Sequence, residues 1–278
     1  MAISNFIPEL WSTQLLVAFR KSHVFNGLVN TNYQGEIRNA GDTVRITTPA
    51  AIAINNYSGT VVYETPTSTQ QSLVIDQDKY WAFGIDDVDA VQANVPLMQA
   101  YMQEAAYSLA DEVDTDLAGL YTAAGLDNIA FNLQGSGADD LYDVLVTAGK
   151  QLDEENVPRT GRWVVITPAA YANLLTNTKF THATQVADQL IRTGQVGSVA
   201  GFTVFTSNNL VDASSGSDLT EIKYMYGTNA AITLATQVIM TEAVRRDAAF
   251  EDAVRGRLVY GRRVVRPAAL GVITADES

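Results

Sequence analysis

Hydrophobic and polar positions repeat with a helical period in one long stretch of this chain. From residue 96 to residue 124, apolar side chains return every three or four positions, which predicts one amphipathic helix ending at Gly125. Asp111 and Asp114 project onto its polar face. Asp116 projects beside the apolar stripe, where we expect it to pair with an arginine or to lie at the stripe's edge. The stripe consists of Met98, Met102, Ala105, Leu109, Val113, Leu117 and Leu120.

A strand-like alternation of apolar and polar residues precedes this helix. Residues 41–47 predict one strand, and residues 73–75 and 81–85 predict its returning strands. The stretch between them is rich in Thr, Ser, Gln and Asn, and residues 55–59 are typical of a turn. A long hairpin is marginal in water by itself. We therefore expect it to lie on another surface, with a neighbouring subunit as the support.

After the long helix, the pattern alternates between helices and strands and then becomes rich in strands. Residues 139–155 and 168–175 predict helices, and residues 163–166 predict a buried strand between them. Further strands are predicted at 202–205, 223–227, 231–234, 238–240, 257–261, 264–267 and 270–273. The chain is therefore predicted to belong to the α+β class.

Composition excludes several kinds of chemistry. The 278-residue chain contains no cysteine, which removes thiolate catalysis, disulfide bonds and cysteine-ligated zinc. Only two histidines, His23 and His182, are available for metal ligation or acid–base chemistry. With 47% apolar and 18% charged residues, the chain is predicted to fold around a sizeable core. No apolar run is long enough to span a bilayer.

Charge is distributed unevenly along the chain, whose formal net charge is −13. Residues 83–160 contain 15 acidic and two basic residues, so this window alone accounts for −13. Seven of the 13 arginines lie between Arg245 and Arg266. The acidic and basic segments are predicted either to pair, within or between subunits, or to form two separately solvated faces. The negative net charge argues against a general nucleic-acid-binding protein.

No motif in the sequence predicts an enzyme. The acidic cluster at residues 86–89 is of the type that binds calcium or magnesium, but it lacks the spacing and glycine of a calcium-binding loop. Residues 135–137 lack the rest of a phosphate-binding loop, and no Gly-x-Ser-x-Gly turn accompanies His182. We expect no catalytic activity, metal or cofactor. A carboxylate-dependent hydrolase using Asp86 or Asp111 is the alternative from another functional class.

Arginines near the C-terminus alternate with apolar residues. This pattern predicts a strand with one charged and one apolar side. A nucleic-acid-binding stripe is the alternative, but Tyr260 is the only aromatic residue interleaved with the arginines. The arginines are Arg255, Arg257, Arg262, Arg263 and Arg266.

Three stretches and their order carry a resemblance to a known family. They are VVITPAAYANLL at 164–175, VAGFTVFTSNNL at 199–210 and YGRRVVRP at 260–267. Together with the order of an N-terminal arm, a polar hairpin, a long helix, an α/β insert and returning strands, they resemble the major capsid protein of tailed bacteriophages. The resemblance implies the α+β fold of the Hong Kong 97 type.

The resemblance also implies a division of the chain. Residues 1–40 would form the N-terminal arm, and 41–84 the E-loop, which in this family extends over an adjacent subunit. Residues 85–136 would form the peripheral (P) domain with its spine helix. Residues 137–236 would form the axial (A) domain around the centre of each hexamer or pentamer, and 237–278 the returning strands of the P-domain.

The function implied by the resemblance is structural. The chain would self-assemble into hexamers and pentamers of an icosahedral phage head that encloses double-stranded DNA without sequence specificity. The expected partners are other copies, a separate scaffolding protein, a portal and a decoration protein, with no membrane. The expected location is the virion, assembled in the host cytoplasm. An encapsulin-like nanocompartment, which shares the fold but encloses cargo proteins, is the alternative.

Contacts between subunits are expected to be non-covalent. Some family members join a lysine of the E-loop to an asparagine of the P-domain, but here the first lysine of the expected E-loop is Lys79, at its base, and no asparagine follows Asn229. Burial of apolar residues of the arm and E-loop against neighbours would drive assembly. The predicted contact residues are Trp11, Leu15, Phe19, Arg45, Tyr57, Trp81, Arg262, Arg263 and Arg266.

Overall fold

A computed structural model of the protein describes residues 23–32, 43–49, 68–86, 97–133, 139–176, 198–213, 221–245 and 251–277, and the single positions 52, 54, 56, 63 and 65. The helices in these ranges are α1 (Leu97–Ala118), α2 (Leu141–Glu154) and α3 (Pro168–Thr176). The strands are β1 (Thr43–Pro49), β2 (Ser68–Val74), β3 (Gln77–Asp86), β4 (Ile129–Asn132), β5 (Arg162–Ile166), β6 (Ser198–Val199), β7 (Phe202–Thr206), β8 (Val211–Asp212), β9 (Glu221–Thr228), β10 (Ile232–Arg245), β11 (Glu251–Val264) and β12 (Leu270–Asp276).

The largest sheet is mixed and has seven strands. Six of them follow the order β4-β12-β9-β5-β7-β6, and β8 pairs with β9. Every residue of β5 is buried, because this strand lies between antiparallel β9 and parallel β7 and packs on both faces. The predicted buried strand is thus confirmed. Strands β4 and β12 come from outside residues 137–236, so this sheet uses more of the chain than the expected A-domain range.

Helix α2 packs on this sheet through one apolar side. Its first turn is capped by Asp140, whose carboxylate accepts a hydrogen bond from the backbone N–H of Tyr142 at 2.9 Å. The buried side chains Leu141, Leu145 and Leu152 lie on the face toward the sheet. The predicted helix at 139–155 is therefore confirmed with its capping residue just before its first turn.

The long predicted helix is confirmed as α1, which continues as a 3-10 turn, Gly119–Ala123. Val113 and Leu117 of the apolar stripe are buried in the core. The chain then passes close to another turn, where the N–H of Gly125 donates to the carbonyl oxygen of Pro267 at 3.0 Å. A Cβ atom on Gly125 would lie 2.7 Å from Pro267, so this close approach explains the glycine.

The expectation that Asp114 lies on the polar face of the helix is wrong. Asp114 is fully buried, because the segment containing Val24 and Phe25 packs across the helix at this point. This segment belongs to the expected N-terminal arm, yet it joins the main core: the Phe25 ring stands edge-on to Trp163 of β5, with centroids 6.3 Å apart. Asn30 continues it by bridging to Thr233 at the start of β10.

A second sheet has three strands in the order β10-β11-β3. Strands β10 and β11 are each continuous over 14 residues, where the sequence predicts several shorter strands. Arg255 and Arg257 lie on the exposed side of β11, and Val254 and Leu258 are buried on the other side. The predicted strand with a charged and an apolar side is therefore confirmed for Arg255, Arg257 and Arg263, but not for Arg262, which alternates onto the opposite side, or for Arg266, which follows the end of β11.

The hairpin is formed by β1 and β2, paired antiparallel from Thr43 opposite Val74 to Pro49 opposite Ser68. The prediction that residues 81–85 also return along this hairpin is wrong, because β3 pairs with β11 in the three-stranded sheet. Alternation of side chains predicts a strand but does not specify its partner.

Candidate functional site

The connection between β1 and β2 presents large apolar side chains to solvent. Ile52 is 72% exposed, Ile54 is 99% exposed and Tyr63 is 90% exposed. Most large apolar residues in the described part of the chain are buried, whereas these side chains contact little of their own chain. Exposed apolar side chains grouped on one projection are typical of an interaction surface. We call the described positions Ile52, Ile54 and Tyr63 the hairpin tip.

The root of the hairpin, in contrast, is packed onto the three-stranded sheet and its surroundings. The buried side chains Val44, Ile46, Leu73 and Ile75 form a small core with Ala235 of β10 and Val259 of β11. The expectation that this segment needs a neighbouring subunit for support is thus wrong for the root, because β10 and β11 of the same chain supply the second layer.

Two further contacts hold the root in place. The end of β2 crosses β11 at Gly261, where a Cβ atom would overlap the carbonyl oxygen of Val74. The Arg263 guanidinium donates to the carbonyl oxygen of Ser72.

The predicted contact residue Arg45 lies in β1, opposite Ser72 in the strand register. It is exposed and forms no ion pair with any described residue.

Three arginines of β11 pair with carboxylates of their own chain. The Arg262 guanidinium lies 3.4 Å from the Asp116 carboxylate and donates through Nε to the Asp116 carbonyl oxygen at 3.1 Å. The prediction of an arginine partner for Asp116 is thus confirmed. Arg257 binds Asp78 and Arg255 binds Glu242. Only the Arg262–Asp116 pair joins the basic segment to the acidic residues 83–160, so the predicted pairing of the two segments is confirmed at Arg262; Asp78 and Glu242, the partners of Arg257 and Arg255, lie outside that window.

These pairs and burial change the titration of several groups. The Arg257 guanidinium holds the pKa of the Asp78 carboxyl below its ordinary value. Burial, together with the Asp116 carboxylate that accepts its hydrogen bond, raises the pKa of the Tyr260 phenol. A salt bridge to Glu112, with the Lys79 Nζ atom 2.6 Å from the carboxylate, raises the pKa of Lys79. Charged hydrogen bonds thus link helix α1 to strands β3 and β11.

The remaining predicted contact residues are spread over the molecule. The Trp81 ring is half-buried, stacks on Phe83 with centroids 5.7 Å apart and covers Gly256 of β11. Arg266 is exposed at the rim of a cavity. The structure brings Arg45 and Arg263 together at Ser72, but it does not bring Trp81 to them. Trp11, Leu15, Phe19 and Tyr57 lie outside the described residues, as does His182.

A buried polar cluster joins three parts of the chain, and sequence reasoning missed it. The Asp114 carboxylate accepts hydrogen bonds from the N–H groups of Val24 at 3.0 Å and Phe25 at 2.8 Å. It also accepts from the amide of Asn209, in the loop after β7, at 3.2 Å. Burial raises the pKa of the Asp114 carboxyl, and these hydrogen bonds oppose that shift. No local pattern signals a carboxylate whose partners are backbone groups of a distant segment.

The cavity beside Arg266 has a volume of about 590 Å³. Its walls come from the loop between α2 and β5, the turn between β9 and β10, and the turn between β11 and β12. They include the apolar residues Val157, Pro158, Ala230, Pro267 and Ala268.

The described residues contain no grouping of three or more side chains able to hold a metal ion. Asp111 accepts a hydrogen bond from the Asn209 amide at 2.7 Å, and its carboxylate is 3.9 Å from the His23 ring. Asp86 ends β3, and the rest of the acidic cluster at 86–89 lies outside the described residues. Among the described helices, none is both long and apolar enough to cross a bilayer.

Comparison with known proteins identifies the family. A family model described as phage capsid protein matches residues 70–273. A solved structure from Mycobacterium phage Che8 is 31% identical, with a TM-score of 0.78 and 98% of each chain covered. No curated protein sequence matches the chain significantly.

More distant solved structures share the fold. The capsid structure of the cyanophage P-SCSP1u is 18% identical, with a TM-score of 0.79, and covers 100% of this chain and 95% of its own. The mature capsid of bacteriophage PhiM1 is 14% identical, with a TM-score of 0.72, covering 97% and 92%. The predicted α+β fold of the Hong Kong 97 type and the resemblance to major capsid proteins are confirmed. The chain belongs to the phage capsid protein family.

Proposed function

We propose that this protein is the subunit of an icosahedral phage head, assembling into hexamers and pentamers that enclose double-stranded DNA. The observation that carries the proposal is the hairpin tip, where Ile52, Ile54 and Tyr63 are exposed although the hairpin root is fixed to the body of the subunit. Exposed apolar side chains on a hairpin whose root is packed onto the subunit are suited to contact another copy.

The energetics favour assembly of many copies over a stable pair. Burying one large apolar side chain contributes about 1.5–3 kcal/mol, so a tip with three such side chains makes a modest contact. In a closed symmetric shell each subunit both gives and receives such contacts. The modest free energies of the individual contacts then add over the whole particle, whereas a contact between two isolated copies stays weak.

We propose the following division of labour. Residues 1–40 act as the arm, 41–84 as the E-loop, 85–136 and 237–278 as the P-domain and 137–236 as the A-domain, with β4 and β12 contributing to the A-domain sheet. Trp11, Leu15, Phe19 and Tyr57 would contact neighbouring subunits, with Arg45 and Arg266 at the rims of these contacts. Trp81, Arg262 and Arg263 would support the same contacts from beneath, since they are engaged within the subunit.

The proposed partners follow from the proposed particle. A separate scaffolding protein would direct curvature, a portal would occupy one vertex and a decoration protein would bind the outside. The net charge of −13 suits an inner face that repels DNA and lets it slide during packaging. The subunit would act without catalysis or cofactor, in the virion after assembly in the host cytoplasm.

Expression of the full chain, alone and with a candidate scaffolding protein, tests the proposal by sedimentation and electron microscopy. We expect irregular or soluble material from the chain alone and regular shells with the scaffold. Uniform small empty shells from the chain alone would favour the encapsulin-like alternative. A strictly monomeric protein under both conditions would contradict self-assembly, and loss of a measurable hydrolytic activity in Asp111→Asn would then favour the hydrolase.

A further inference from the structure

A histidine at the start of the segment that packs across α1 has a buried ring nitrogen without a hydrogen-bond partner. The Nε2 atom of His23 is shielded from solvent, and no described residue donates a hydrogen bond to it or accepts one from it. Buried polar atoms in folded proteins nearly always have a partner, so this exception needs an explanation. We call residues 23–30 the arm root. It includes Phe25 in the main core and Asn30, which bridges to β10.

The surroundings of this imidazole suit a cation. The Asp111 carboxylate lies 3.9 Å from Nε2, within the range of an ion pair but beyond that of a hydrogen bond. The Tyr107 ring is tilted against the imidazole with centroids 4.7 Å apart, a distance at which an aromatic face attracts a cation. Asp114 is close enough for a charge on His23 to act on its carboxyl. These three side chains are the titratable groups of α1 that the described structure places against His23.

The two carboxylates also hold other groups in place. Asp111 and Asp114 are one helical turn apart, so their negative charges repel each other. Both accept hydrogen bonds from the neutral amide of Asn209, in the loop after β7, at 2.7 and 3.2 Å. Asp114 also accepts from two backbone N–H groups of the arm root. A positive charge on His23 would offset the repulsion and give Nε2 a partner, whereas a neutral imidazole carries no such charge.

We infer that His23 is a proton-dependent contact between the arm root and α1: its protonated imidazole donates from Nε2 to the Asp111 carboxylate and stabilises the packed position of this segment. Histidine is the side chain that ordinarily changes its charge between pH 5 and pH 8. Because the packed arm root favours the charged form, the stabilisation is present at the acidic end of this range and is lost as pH rises. The contact lies within one subunit, so it does not depend on self-assembly.

Amide hydrogen exchange in the arm root tests this contact. The N–H groups of Val24 and Phe25 are bound to Asp114 and exchange when the segment opens. Exchange of the full chain is measured at about pH 6 and about pH 8 and expressed as protection relative to the unfolded chain at the same pH. His23→Gln keeps a polar side chain that cannot take up a proton. His182→Gln is the matched control, since it removes the other histidine and leaves His23 in place.

The measured quantity is the ratio of protection at the lower pH to protection at the higher pH. This ratio should be at least about threefold larger in the unmodified chain than in His23→Gln, the size expected of a partly exposed ion pair. His182→Gln should match the unmodified chain. Asp114 is present in all three proteins, so its own titration cancels from the comparison. Equal ratios in the unmodified chain and His23→Gln would overturn the inference.

Asp111→Asn tests the partner of His23 independently. It removes the charge but keeps an oxygen that can accept from the Asn209 amide. The ratio should fall to the value of His23→Gln, and the double variant should show no further fall, because the two residues act as one pair. Glu112→Gln, the next position on α1, should leave the ratio unchanged, since that carboxylate binds Lys79. An unchanged ratio in Asp111→Asn, or losses that add in the double variant, would overturn the pairing.

Discussion

The seven-stranded sheet with its helices and the β1–β2 hairpin differ in how completely their apolar side chains are buried. In the first region β5 is buried throughout, and α2 and β9 cover it with side chains of the same chain. In the hairpin, only the root is buried, and the tip leaves Ile54 almost fully in solvent. One region is thus complete as a monomer, whereas the other ends in a surface whose burial requires another molecule.

The two regions differ in whether a second packed layer covers their apolar side chains, rather than in how many apolar side chains they contain. A central strand of the large sheet such as β5 has neighbours on both sides and is packed on both faces, so each of its apolar side chains meets a second layer. A two-stranded hairpin supplies no second layer of its own, and the exposed Ile52, Ile54 and Tyr63 are not covered by one. Side chains of the kind that stabilise a core therefore remain exposed at the tip.

The largest expected effect is at Gly271 of β12, inside the complete region. A Cβ atom at this position would overlap the Tyr226 ring, which is fully buried and cannot move aside. Gly271→Ala should lower the free energy of unfolding by about 3 kcal/mol or more in urea denaturation. Gly119→Ala, where nothing lies within 4 Å, should change it by less than about 1 kcal/mol. Similar values for both variants would contradict the packing described here.

The next effect is at Asp114, which links the segment of Val24 and Phe25 to α1. Asp114→Ala leaves two buried backbone N–H groups without an acceptor and should cost about 2–4 kcal/mol of unfolding free energy. Asp114→Asn keeps one acceptor oxygen and should cost less. The exposed Glu112→Gln is the control on the same helix, with an expected loss below about 1 kcal/mol. Equal losses of unfolding free energy in Asp114→Ala and the control would show that Asp114 does not link this segment to α1.

Two carboxylates should give opposite pH dependences. Burial raises the pKa of Asp114 above 3.8, so the folded protein keeps a proton that the unfolded chain loses first, and the stability from this group declines as pH rises above 3.8. Hydrogen bonds from Arg159 and Arg162 lower the pKa of Asp153, so its contribution is present above pH 3.8 and is lost on acidification.

Urea denaturation of Asp114→Asn and Asp153→Asn between about pH 3 and pH 7 distinguishes these signs. As pH rises, the free energy of unfolding of the unmodified protein should fall relative to that of Asp114→Asn. For Asp153→Asn, the advantage of the unmodified protein should shrink as pH falls. Glu154→Gln, which removes an exposed pair with Lys150, serves as control for the second case. The same pH trend for both variants would show that one assignment is wrong.

The smallest expected effect on unfolding, below about 0.5 kcal/mol, is at the hairpin tip. Ile54→Asn changes a side chain that contacts almost nothing in its own chain, so the monomer should unfold as before. Its assembled fraction should nevertheless fall severalfold in sedimentation, unlike that of Val146→Asn, a 47% exposed position on α2. Normal assembly of Ile54→Asn would show that the exposed tip is not a contact surface.

Much of the local structure was predictable from periodicity. The three-and-four spacing of apolar residues predicted α1, and the buried run before Pro168 predicted β5, because local side-chain patterns follow the geometry of helix and strand. The alternation along β11 predicted its charged and apolar sides. The partner of a strand was harder to predict than the strand itself. β3 pairs with β11, far along the chain, although its sequence suits the hairpin equally well.

The sequence by itself determined the elements, the absence of cysteine chemistry and, through the order of its parts, the capsid family. Only the tertiary structure decided which charges are buried, which arginines are paired and where the apolar side chains remain uncovered. Asp114, Arg262 and Ile54 have ordinary local sequences. Asp114 and Arg262 are paired because distant segments pack against them, whereas Ile54 stays exposed because no described segment covers it. Both outcomes are set by packing in three dimensions rather than by spacing along the chain.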